Sequence, residues 1–162
     1  MARKKFNTNR KANSFLNSIP QVDIENSNIE HKMKFNFSYF CHDQTVAQNF
    51  PDWTEGQLHK LLDKLVQYSK EKLDYWEHEQ IGRGNSKGRR QTVLEVYGDF
   101  PSHSEFIHPR HVPIDACWAR FRLENSVRLI GFVIPEIGSN DIYDKNTFYV
   151  VFLDKDHKFY PI

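Results

Sequence analysis

Two short apolar runs near the end of the chain constrain its fold most: VRLIGFVI at residues 127–134 and FYVVFL at 148–153. Both are too short to cross a bilayer, which takes roughly 20 residues. Both are rich in β-branched and aromatic side chains and hardly alternate with polar ones. Strands covered on both faces of a sheet have this composition. They predict an antiparallel hairpin formed by residues 127–134 and 147–160. The preceding stretch, 116–123, carries Trp118, Arg120 and Arg122 on one parity and Phe121 and Leu123 on the other. A short turn at 124–126 joins it to the hairpin.

The remaining elements are read by periodicity. KFNFSYFC at 34–41 alternates, with Phe35, Phe37, Tyr39 and Cys41 on one face, and predicts a strand. TVLEVY at 92–97 predicts another, with Leu94 and Val96 on one face and Val93, Glu95 and Tyr97 on the other. Thr54 and Gln57 form a capping box. Leu58, Leu61, Leu62, Leu65, Leu73 and Trp76 then keep helical spacing, which predicts one long helix over 54–78. A shorter helix is expected at 46–50, stopped by Pro51. The glycines of 81–90 and the prolines and histidines of 100–113 predict irregular connections. The expected fold is α+β: an antiparallel sheet of four to five strands with one long helix packed on a face. It forms a single domain, 32–162, behind a flexible basic tail, 1–31, in which Phe15, Leu16 and Ile19 support one short helical turn.

Composition narrows the class. No apolar run follows the basic start, so neither a signal peptide nor a membrane association is expected. Two cysteines, Cys41 and Cys117, cannot form a disulfide framework, and a reducing cytoplasmic setting is the default. A net charge of +1 conceals an acidic middle, from Asp63 to Glu79, between basic segments. No phosphate-cradling loop, zinc-protease helix, nucleophile elbow or paired C-x-x-C occurs. His103, His108 and His111 lack the spacing of a zinc module, so no metal or cofactor is expected.

Chemistry concentrates at the end of the chain. Arg120 and Arg122 share one face of their strand, and Arg128 lies just beyond the turn. Paired antiparallel, the three guanidinium groups gather in one patch suited to phosphate oxygens. The DKDHKFYP ending adds His157, Lys158 and Tyr160. Cleaving RNA through its own 2′-hydroxyl needs one group to take a proton, one to return it and cations at the phosphate. His, Tyr, Lys and Arg meet those needs. Arg122 and Arg128 are the expected phosphate clamps, His157 the general acid or base, and Tyr160 the group that stacks on a base or shares the proton work. Arg120, Lys158, Arg89 and Arg90 are the expected RNA-binding residues. A solvated sheet face and a packed aromatic end account for the same residues without chemistry.

The segment RFRLENSVRLIGFVI followed by FYVVFLDKDHKFYP resembles the C-terminal half of RelE/ParE-superfamily toxins. Its ending is also similar to a group of small bacterial proteins closing on FYxVxLDxxHxxYP. The resemblance covers residues 118–162. It implies a RelE-like fold and a metal-independent endoribonuclease of a bacterial toxin–antitoxin or defence system. Its partners would be RNA, ribosome-bound messenger included, and a small antitoxin protein. The chain departs from that pattern in its near-neutral charge, its long 135–146 connection and its N-terminal tail. The alternative is a non-catalytic RNA- or protein-binding module in phage defence or mobile-element regulation.

Overall fold

The two apolar runs are the centre of a five-stranded sheet with the order β1-β5-β4-β3-β2. The computed structural model describes residues 9–81, 91–135 and 142–161. Within these, β1 is Lys34–Asn36, β2 Leu94–Gly98, β3 Cys117–Glu124, β4 Val127–Val133 and β5 Thr147–Asp154. Strands β2 to β5 pair antiparallel, whereas β1 runs parallel to β5, pairing Phe35 with Phe148. The sheet is therefore mixed, which corrects the expected all-antiparallel arrangement. Alternation alone does not encode strand direction.

Strand β1 is also shorter than expected. Its alternation stops at Asn36, whose side-chain oxygen accepts the Ser38 amide at 2.8 Å and turns the chain. Residues 46–50 are not helical. Gln48 bridges to Leu153 instead, and Pro51 sits inside a 3-10 turn, Phe50–Asp52, closed by an Asn49–Asp52 capping box.

The long helix is likewise two helices. α2, Glu55–Tyr68, begins at the predicted Thr54–Gln57 box. α3, Leu73–His78, restarts after a polar stretch at 69–72. The break is held from both sides. Ser69 Oγ donates to the Leu65 carbonyl, and the Trp76 indole donates to the Tyr68 carbonyl at 2.9 Å. The Leu73 amide donates to the Asn146 side chain. Leu62, counted in the apolar stripe, is exposed, while Tyr68 is buried in its place.

Each face of the sheet carries its own core. Leu61, Tyr68, Leu73 and Trp76 cover one face over Leu94, Phe121, Phe148 and Leu153. On the other face Trp118, Ile130 and Phe152 lie under irregular chain that supplies Cys41, Phe106, Val112 and Phe159. Cys41 is thus core, as its parity suggested, although it lies outside the strand. Gly131 in β4 leaves no room for a side chain. A Cβ there would run into the Tyr149 carbonyl oxygen and the Phe148 ring.

The chain divides into two units, Met1–Glu30 and His31–Ile162. In the first, α1, Arg10–Ser18, is capped by the Asn9 side chain, so nine residues are helical where a single short turn was expected. No helix among the described residues is long and apolar enough to cross a membrane.

Candidate active site

The turn after β5 is built around a buried carboxylate. Asp154 closes β5, and its two oxygens accept the Lys158 and Phe159 amides, each at 2.9 Å. Desolvating a carboxylate is costly unless donors replace water, and the turn supplies them. Gln48 accepts the Lys155 amide at 3.0 Å and donates to Asp156 at 3.1 Å, while Ser126 Oγ donates to the Lys155 carbonyl. So constrained, the turn holds His157 at φ 60°, a left-handed conformation uncommon for any residue but glycine.

From that position His157 Nε2 lies 3.0 Å from Arg120 Nη1. A guanidinium only donates, so Nε2 carries the lone pair and the ring proton is on Nδ1. The Nε and Nη2 of Arg120 donate to Glu95 Oε2 at 3.2 and 2.9 Å. Arg122 Nη2 donates to the same oxygen at 2.7 Å. The register makes this possible, since Glu95 lies opposite Arg120 across β2 and β3. The outcome is one row, Arg122–Glu95–Arg120–His157. The Arg120 guanidinium also lies 5.3 Å from the Tyr97 ring centre and 6.0 Å from that of Tyr160. Those two rings stack at 4.9 Å, 3° from parallel.

The row is electrostatically tense. Burial works against the Glu95 charge, yet hydrogen bonds and positive charge from Arg120 and Arg122 outweigh it and hold the carboxyl below its ordinary pKa. Burial, reinforced by the charges of Arg120 and Arg128, lowers the pKa of His157 and keeps it neutral at pH 7. Burial, then Arg122 and Arg120, brings Arg128 down to about 10. Tyr97 is pushed upward by burial, and its hydroxyl has no partner among the described residues. The Nε groups of Arg122 and Arg128 are likewise buried and unpartnered.

Arg120, Arg122, His157 and Tyr160 therefore gather around Glu95 and Tyr97. Arg128 is the cross-strand neighbour of Arg122, but its Nη1 is committed to the Asn125 and Val127 carbonyls. Lys158 points its ammonium at Glu105, 3.3 Å away. Arg89 and Arg90 lie outside the described residues. Sequence reasoning missed Glu95 and Tyr97. Their shared parity in TVLEVY was legible, but their alignment with Arg120 depends on a register no local pattern prints. His108 and His111 bond loop carbonyls of Pro109 and Tyr39. Among the described residues no group of three His, Cys, Asp or Glu side chains is arranged to hold a metal ion.

Two clefts flank the row. One, of about 420 Å³, is lined by Glu95, Arg120, Arg122 and Thr92. The other, of about 480 Å³, is lined by Tyr97, Asp99, Ser102, His103 and Tyr160.

No family model matches the chain. No curated protein and no solved structure matches it either. A carboxylate that stays ionised, an imidazole held below its ordinary pKa by burial, two guanidinium groups and an exposed aromatic ring are the parts that phosphodiester transfer uses.

Proposed function

We propose that this chain is a metal-independent endoribonuclease of the toxin type, cleaving single-stranded RNA by attack of a ribose 2′-hydroxyl on the adjoining phosphate. The observation that supports it is the hydrogen-bonded row Glu95–Arg120–His157, with a carboxylate and an imidazole on opposite sides of one guanidinium. Glu95 takes the 2′-hydroxyl proton as the O2′–P bond forms. His157 protonates the 5′-oxygen as the P–O5′ bond breaks. The products are a 2′,3′-cyclic phosphate and a free 5′-hydroxyl. Arg120 and Arg122 neutralise the crowded phosphate, and Arg128 adds positive potential from behind them. The resting bond from Arg120 to Nε2 is exchanged on binding. The phosphate takes the Arg120 donor, freeing Nε2, and its negative charge raises the proton affinity of the imidazole. Tyr160 stacks on a neighbouring base. The partners that belong to this reading are RNA, including messenger on the ribosome, and a small neutralising antitoxin.

A second reading, a non-catalytic RNA- or protein-binding module in phage defence, is favoured by the depth of the arginines. The Arg120 and Arg122 side chains are only 7% and 10% exposed and already share Glu95. The deciding experiment incubates the protein with labelled RNA in chelator and looks for cyclic-phosphate ends. Cleavage by wild type, lost in His157→Ala with RNA affinity retained, supports the endoribonuclease. Binding without cleavage, with ribosomes also supplied, supports the module.

A further inference from the structure

The cleft beside the row has the chemistry of a base pocket. Its wall is the Tyr160 ring, 44% exposed and backed by Tyr97 in parallel stacking. A nucleobase is a flat π-system and stacks on such a ring whatever its identity. The polar lining supplies the discrimination, through the Asp99 carboxylate with Ser102 and His103 beside it. Asp99 is exposed, and no hydrogen bond or ion pair among the described residues engages it. Only guanine presents two adjacent donors, N1–H and the 2-amino group, to a carboxylate's two oxygens. Adenine, cytosine and uracil each offer a single donor on the matching edge. A charge-assisted two-point contact is the stronger one.

We infer that this cleft is a guanine-selective pocket, and that RNA bound at the row is engaged beside a guanine. The inference rests on the endoribonuclease reading for the position of the scissile phosphate. Arg120 joins the two sites, since it lines the phosphate cleft and lies over both tyrosine rings.

The test measures equilibrium binding of uncleavable 2′-fluoro dinucleotides GpU, IpU, ApU and CpU by isothermal calorimetry. Inosine lacks the 2-amino group, so it isolates one half of the contact. GpU is expected to bind roughly tenfold or more tightly than IpU and ApU. Asp99→Asn should level the four while leaving ApU and CpU affinity unchanged. Asp99 is exposed, so this variant is expected to fold normally, which its circular dichroism checks. Tyr160→Ala should weaken all four together, by roughly 5- to 100-fold. Equal affinities for GpU and IpU, a preference that survives Asp99→Asn, or no binding of any dinucleotide would each overturn the pocket. Failure of the two readings is distinguishable. Indiscriminate binding with intact cleavage removes the guanine pocket alone, and a guanine preference without cleavage removes only the nuclease.

Discussion

Replacing Glu95 by Gln probes the row most directly, because the substitution keeps the shape and removes the charge. One carboxylate oxygen receives three N–H donors from two guanidinium groups, at 2.7, 2.9 and 3.2 Å. A fully buried pair broken on one side costs about 3–5 kcal/mol. Glu95 is 37% exposed, so water screens part of the loss. The amide oxygen still accepts one bond. A destabilisation of about 2 kcal/mol is therefore expected, equivalent to a Tm lowered by roughly 4–8 °C in a chain of this size. The loss should depend on pH. Glu95 titrates below its ordinary value in the folded chain, so its stabilisation is full above the unfolded pKa and disappears as pH falls through the folded one. The Tm gap between wild type and Glu95→Gln should then narrow on acidification, as read by differential scanning calorimetry from pH 7 to pH 3. Without its base, RNA cleavage should fall by roughly 10²- to 10⁴-fold. A Tm gap that stays constant with pH would refute the electrostatic argument. Cleavage within threefold of wild type would refute the role of Glu95 as base.

Since Glu95 must be ionised and His157 protonated, and both pKa values are lowered, kcat/KM should peak on the acidic side of pH 6.5, in a bell whose acid limb Glu95→Gln removes; an alkaline maximum would contradict the acid role of His157. Asp154→Ala leaves two amides in the turn without an acceptor and should cost about 3 kcal/mol in urea unfolding while lowering cleavage through displacement of His157. Tyr68→Phe removes the 2.6 Å bond to the Arg122 carbonyl and should cost about 1 kcal/mol by the same assay. Gly131→Ala forces a methyl against backbone and should destabilise by about 3 kcal/mol or more, seen as a collapse in soluble yield or in Tm.

Local pattern carried much of the fold. The runs that became β4 and β5 were legible because burial on both faces leaves a composition few other elements share, and the Thr54–Gln57 box marked the start of α2. Features that depend on distant partners were not legible. The parallel pairing of β1 joins residues 34–36 to 147–149, and nothing in either segment records direction. The helix break at Ser69 depends on Trp76 reaching back to Tyr68 and on Asn146 capping Leu73. The site divides the same way. Arg120, Arg122, Arg128, His157 and Tyr160 were singled out from charge and proximity in sequence. Glu95 is 25 residues from Arg120 along the chain and became a candidate only through the β2–β3 register.

The buried Asp154 turn also has a consequence for the row. The carboxylate of the row arrives with β2 and the guanidinium groups with β3, but the imidazole is held only once residues 154–159 have closed. The Arg120–His157 contact therefore depends on the turn in a way the Glu95–Arg120 bonds do not, and a substitution that opens the turn should remove the imidazole from the row while leaving the carboxylate paired.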